Sequence, residues 1–326
     1  MSQPFALACR GGLNVNLNQL EIMRQPGLAT ELLNFEVDPD GGYRRINGFT
    51  LFGGDSSARP NSSNRILGLA VYADGLIACS GTGIFFSQDG TSWLQINKAS
   101  VSASGDNFST FSGRSNDARS SQGQCSFALF EGTTDYGEML ICDGANKPFF
   151  FKMTGTGALS DRTFFASEIT VDSTTAPTVG VIHENHFVVG GAPTAKNKIF
   201  FSATLDPESF SGTGSGSIQL TDAIVGLASF RSDLIIFCKN SIFKLINISD
   251  SSNIAIVPIT QNVGCLDGNS IQEIGGDLLF LSPDGIRTVA GTARIGDVEL
   301  SSVSRQIQKI TTTIANGINN FVITSG

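Results

Sequence analysis

Histidine, tryptophan and basic residues are scarce in this 326-residue chain: two His, one Trp and 21 Lys plus Arg against 29 Asp plus Glu, for a formal net charge of −8. So few cations argue against a nucleic-acid binder held by counterion release along a basic face. The two histidines, His183 and His186, form an H-x-x-H pair that at first glance is a metal half-site. Strand-like flanks make that stretch a hairpin reversal, and no Cys or third His lies nearby in sequence, so neither a metal nor another cofactor is expected. No G-x-S-x-G accompanies the pair, so no catalytic residue is assigned and the chain is read as a non-enzyme. Six cysteines (Cys9, Cys79, Cys125, Cys142, Cys238 and Cys265) contain no C-x-x-C and sit in apolar runs, as expected of buried thiols folded in a reducing cytoplasm. No run is long enough for a transmembrane helix, so direct membrane insertion is not expected, and residues 1 to 10 lack the basic start of a cleaved secretion signal.

What is abundant is glycine, at 37, and phenylalanine, at 24, while charged residues are only 15%. That mix suits many short strands joined by tight turns. Five apolar segments of strand character begin at Leu76, Met139, Phe187, Leu234 and Leu278. After the first step they recur at roughly 45 residues, the spacing of blades in a β-propeller. Four are preceded by a further strand read as outer (Ile66 to Tyr72, Val179 to Ile182, Ile224 to Phe230, Ser270 to Ile274), and four are followed by another, starting at Gly83, Phe149, Ile199 and Ser241. A small twisted sheet cannot hide both faces alone, but several packed radially can.

The fold expected is therefore all-β: a propeller of about five blades of short antiparallel strands over residues 61–326, preceded by an N-terminal arm and entry hairpin over 1–60. The Ser/Gly-rich stretch 97 to 124 explains the long first step as a surface excursion, and 211 to 217 reads as a second. One short helix is expected near the C-terminus, from Asp297 to Ile314, then a loop and a last strand from Asn320 to Thr324.

Residues 11 to 49 combine an extended arm, a tight turn and a basic pair. Pro39 presets φ for a corner and Gly41-Gly42 tolerate the reversal, so Phe35-Glu36-Val37 should pair with Tyr43-Arg44-Arg45-Ile46. The order Gly-Gly-Leu, Leu20-Glu21-Ile22, Pro26-Gly27-Leu28-Ala29, Leu33-Asn34-Phe35-Glu36-Val37 and Arg44-Arg45-Ile46-Asn47-Gly48-Phe49 resembles the amino terminus of tail nozzle proteins, or tail tubular protein B, of short-tailed bacteriophages. The passage from Leu205 to Phe210 and from Asp222 to Leu300 is similar to the propeller core of phage tail structural proteins. Nozzle proteins are usually much longer, so the resemblance leaves the presence of a distal tip domain open.

That resemblance implies a virion protein, assembled in the host bacterial cytoplasm, that serves as head–tail connector in genome ejection. Its partners would be further copies of itself, as a homohexamer, and adaptor or portal proteins, with tail fibres as a further candidate; phage DNA would pass through without sequence-specific contacts. Residues 11 to 34 would lie along a neighbouring subunit or adaptor by strand addition. Leu13, Val15, Leu17 and Leu20 are the candidate interface residues, with Arg44 and Arg45 as interface cations facing acidic neighbours. The rival expectation is a carbohydrate-binding or sialidase-like propeller acting as a receptor-binding protein, suggested by Ser87-Gln88-Asp89-Gly90-Thr91-Ser92-Trp93, which resembles an Asp-box. In such a turn the carboxylate accepts backbone N–H bonds and the tryptophan packs beneath. A glycosidase would also need two acidic residues converging in a pocket.

Overall fold

The structure is a computed structural model that describes residues 11–25, 27–38, 42–52, 60–61, 64–97, 119–132, 135–155, 162–172, 175–250, 252–289 and 304–324. Residues 1 to 10, the corner at 39 to 41, most of the 97 to 124 stretch and the start of the expected helix, 297 to 303, lie outside them.

The chain is an all-β propeller protein whose strands form six antiparallel sheets, divided between two compact units. One unit, Leu51–Asn262, holds four sheets of four strands. The first is β3 (Ile66–Tyr72), β4 (Gly75–Ser80), β5 (Gly83–Ser87) and β6 (Leu94–Gln95), and the second β7 (Ser126–Phe130), β8 (Glu138–Cys142), β9 (Phe149–Thr154) and β10 (Thr163–Glu168). The third is β11 (Val179–His183), β12 (His186–Gly190), β13 (Lys198–Phe201) and β14 (Gly216–Gln219), and the fourth β15 (Ile224–Phe230), β16 (Asp233–Cys238), β17 (Ile242–Ile246) and β18 (Ala255–Thr260). Each sheet is a meander in sequence order, the topology that short turns impose.

The second strand of every sheet is one of the apolar segments singled out above, and its period-2 alternation explains why radial packing follows. On β8, Met139 and Ile141 join the cluster with Ile77, Phe86 and Phe151, while Leu140 and Cys142 join Phe187, Val189 and Phe200 of the next sheet. Val188 of β12 in turn packs with Ile224, Leu234 and Ile236 of the fourth. Both faces of each inner sheet are buried against a neighbour, at about 1.5–3 kcal/mol for each large side chain.

The strands expected as outer are in fact innermost. β11 packs between β7 and β15, and the Cys125 N–H at the start of β7 donates to Leu67 O on β3 at 3.0 Å. The reason is glycine: a Cβ on Gly68 would lie 2.6 Å from Phe127 Cε2 and 2.9 Å from Cys125 Cβ, so only a bare backbone admits the neighbouring sheet.

The other unit, Met1–Thr50 with Val263–Gly326, contains the hairpin β1 (Phe35–Val37) and β2 (Tyr43–Arg45), a three-stranded sheet of β19 (Gln272–Ile274), β20 (Asp277–Ser282) and β21 (Gly285–Thr288), and two helices. The hairpin register is the one expected, with Phe35 opposite Arg45 and Val37 opposite Tyr43. The helices depart from expectation. A short α1 (Gln19–Arg24) interrupts the arm, and the C-terminal helix α2 (Gln308–Thr324) runs through the segment read as a closing strand. Ile310 and Ile314 share a face with Thr311 and Ala315 at 3.6 spacing, and the helix continues past Ile314, where the expected one ended.

Candidate functional site

The amino-terminal segment carries the expected interface residues. Asn18 caps α1 through a capping box: its side chain accepts from Glu21 N–H at 2.9 Å, and its own N–H donates to Glu21 Oε2 at 3.0 Å. The six-residue helix this creates buries nothing: Leu20 is 73% exposed and Met23 80%. Leu13 forms a parallel bridge with Ala29, framed by Gly11 N–H to Gly27 O (3.0 Å) and Asn14 N–H to Ala29 O (2.9 Å). Val15 donates its N–H to Gln306 O at 3.1 Å, and the Asn16 side chain donates to Arg305 O. The backbone at 14 to 16 is therefore engaged within its own chain, and strand addition to a neighbour would have to use another part of the segment.

Leu13, Val15 and Leu17 are half-buried, whereas Leu20 projects into solvent. Arg44 donates to Glu36 Oε1 at 2.6 Å across the hairpin, so it meets a carboxylate of its own chain; Arg45 is exposed on the same strand. Residue-by-residue reading missed Met23, Leu33, Phe35 and Phe49, all exposed, the last at 93%. The available signal was large apolar residues in a stretch too polar to form a core around them.

Charge is sorted by end in the four-sheet unit. In a meander the first and third turns share one end and the second turn lies at the other. Cross-sheet contacts fix the ends of neighbouring sheets together: Arg162 pairs with Asp74, Tyr72 Oη donates to Gly137 O at 2.8 Å, and Ser249 Oγ donates to Glu184 Oε2 at 3.2 Å. At the opposite end Gly123 N–H reaches Asp143 O, Gly144 N–H reaches Pro177 O and Ile224 N–H reaches Lys196 O. Among the described residues, the first end carries ten carboxylates and four Lys or Arg, the second four carboxylates and six.

The acidic end is organised by specific pairs. Lys152 Nζ lies 3.0 Å from Glu138 Oε1 and 2.5 Å from Glu208 Oε1, with its ammonium over the Phe150 ring. Burial raises the Glu138 carboxyl above its ordinary value in spite of Lys152, and its Oε2 has no partner. The Asp-box-like turn behaves as expected of one. Asp89 Oδ1 accepts from the N–H groups of Thr91 (2.8 Å) and Ser92 (3.1 Å), Asp89 Oδ2 accepts from Thr91 Oγ1 (2.6 Å), and these bonds hold the carboxyl below its usual range. Trp93 closes the turn by donating Nε1–H to Gly90 O at 3.2 Å.

The histidine pair is the expected hairpin reversal, with Glu184 and Asn185 both at positive φ and His183 opposite His186. His186 is fully buried. Its Nδ1 faces Ser202 O at 2.6 Å and so carries the proton, and Nε2 faces Thr204 Oγ1 (3.3 Å) and Ser249 Oγ (3.4 Å). His183 Nδ1 meets Ser229 Oγ at 2.9 Å, its Nε2 has no partner, and burial lowers its pKa. These contacts tie the two innermost strands β11 and β15 to the outer loops. No group of three or more His, Cys, Asp or Glu that could hold a metal ion occurs among the described residues.

No protein-family model matches the sequence, and no curated protein sequence matches it. Among solved structures the chain is similar to the extracellular domain of a one-component system from B. thetaiotaomicron (14% identity, TM-score 0.44, covering 78% of this chain and 31% of that one). It is also similar to Citrobacter koseri AztD (9%, TM-score 0.43, covering 72% and 59%) and to PorZ of the Porphyromonas gingivalis type-IX secretion system (16%, TM-score 0.42, covering 68% and 31%). The chain thus spans less than two thirds of each of these proteins.

Proposed function

We propose that the chain is a structural protein of a short-tailed bacteriophage virion, a tail nozzle or tail tube component that assembles as a homohexameric ring around the DNA exit channel and joins the adaptor or portal. The observation that carries this reading is the amino-terminal segment. The stretch that resembles nozzle proteins leaves Leu20, Met23, Leu33, Phe35 and Phe49 open to solvent in the single chain, on elements with no core of their own. Partner subunits would cover them. The excess of carboxylates at one end of the four-sheet unit supports the second half of the reading, since duplex DNA carries about one negative charge per 1.7 Å and slides past like charge where a basic wall would trap it.

The test is the double substitution Leu20→Asp with Met23→Asp. Because α1 buries nothing, the variant folds as the parent does, fails to form rings and is absent from assembled tails. Normal incorporation of the variant into tails would overturn the reading.

A second reading, a carbohydrate-active propeller, draws on Glu138 and Glu208, two carboxylates brought to one cation, with burial raising the first. Lys152 sits between them and neutralises both, which suits an ion pair better than an acid–base couple. Hydrolysis of a glycan by the purified chain, abolished by Glu138→Gln, would favour this alternative.

A further inference from the structure

Two of the buried thiols, Cys79 and Cys125, meet where the first two sheets of the four-sheet unit pack together. Cys79 lies on β4 directly across from Gly68, and Cys125 precedes β7 with its N–H on Leu67 O. Because Gly68 has no side chain, its bare face lets the two cysteines approach: the site a Cβ would occupy is 2.9 Å from Cys125 Cβ. Cys79 and Cys125 belong to one buried cluster, and Cys125 Sγ donates to Gln122 Oε1 at 3.2 Å. Gln122 is itself held by donation from Nε2 to Gly83 O at 3.1 Å. The Arg119 guanidinium, three residues before Gln122, is fully buried and paired to Asp143 at 2.9 Å, with Nε unpartnered.

We propose that Cys79 and Cys125 are an oxidation site, joined by a peroxide-class oxidant into a disulfide that links the first sheet to the second. Two cysteines packed over the same bare glycine face are set close by the backbone, and rotation about χ1 brings their sulfurs together for the S–S bond. Cys125, the less deeply buried of the two, is oxidised first. Its sulfur attacks one oxygen of hydrogen peroxide, the O–O bond breaks, and the thiol proton leaves with the departing hydroxide as water, giving a sulfenic acid. The Cys79 sulfur then attacks the Cys125 sulfur, the S–O bond breaks, and the Cys79 proton leaves with that hydroxide as a second water. The bond would enclose residues 79 to 125, and with them the Ser/Gly-rich stretch, in a covalent loop. Cys142, another buried thiol, faces the next sheet against Gly180 and stays free.

The site is independent of the tail reading and is tested on the full chain. After treatment with a slight excess of hydrogen peroxide, digestion without reductant yields one new linked peptide joining Cys79 to Cys125, and the melting temperature rises by roughly 5–10 °C, reversed by dithiothreitol. Cys142→Ser keeps the linkage and Cys125→Ser abolishes it. No linkage, sulfinic acid at Cys125 alone, or a Cys125–Cys142 product would each overturn the proposal; the wild-type digest decides even if a variant does not fold.

Discussion

Arg162 grips Asp74 with two parallel hydrogen bonds, Nη1 to Oδ1 and Nη2 to Oδ2, both at 2.9 Å, and so fastens the last strand of the second sheet to the first hairpin of its neighbour. The guanidinium also lies 4.8 Å from the Tyr136 ring centroid. A lysine could keep the charge but neither the fork nor the stacking. Arg162→Lys should lower stability by about 1 kcal/mol, a figure kept small because Asp74 is partly solvated. Urea unfolding of the two proteins measures it.

The same pair sets an acid limit. The Arg162 hydrogen bonds hold the Asp74 carboxyl below its ordinary 3.8. A depressed carboxyl contributes stability that is complete above the unfolded value and disappears as pH falls through the folded one. Asp74→Asn should therefore cost stability at pH 7 and progressively less below about pH 4, as stability curves taken between pH 7 and pH 3 would record.

Burial of His183 acts in the same direction, at higher pH. Its pKa is lowered from 6.5, so the unfolded chain binds a proton more readily than the folded one, and stability falls as pH drops below that value. Glu184 and Asp233 oppose the shift and His186 adds to it. His183→Gln should flatten the slope of unfolding free energy between about pH 5 and pH 6.5.

Phe151 is the core position whose loss should cost most. Its ring centroid is 5.3 Å from Tyr72, 5.6 Å from Phe86 and 5.9 Å from Phe164, and it is fully buried between the first two sheets. Phe151→Ala should destabilise by about 3–5 kcal/mol, chiefly through the cavity left behind. Chemical denaturation with a preserved m-value would confirm that the change lies in the folded state.

Gly68→Ala tests the inner-strand packing. The added methyl would sit within 3 Å of Phe127 and Cys125, and overpacking of that kind costs about 1–3 kcal/mol. A neutral substitution would mean that β3 does not approach β7 as described.

Much of this architecture was legible because the second strand of each sheet is a short, wholly apolar run, as in Leu234–Phe237, which must be covered on both faces. The fourth strands were not legible: β6 is two residues long and β14 is Gly-Ser-Ile-Gln, and neither carries a pattern apart from its partners. The innermost strands were misplaced because nothing in a single strand's own sequence says that Gly68 and Gly180 mark the closest approach to a neighbouring sheet. The continuation of α2 through Asn319-Asn320-Phe321-Val322 was hidden by residues of poor helix propensity, overridden in the folded chain. At the candidate interface, Leu20 and Arg44 could be named from sequence. The engagement of Val15 with Gln306 could not, because it joins segments nearly the whole chain apart.

The most direct test of the central claim is electron microscopy of the purified full-length chain and of particles that contain it. Rings of six copies around a hole wide enough for a duplex, with the segment from Leu13 to Phe49 buried between subunits, are the predicted result. A chain that remains solitary at high concentration, with Leu20, Met23 and Phe49 still in solvent and absent from any tail, would contradict it.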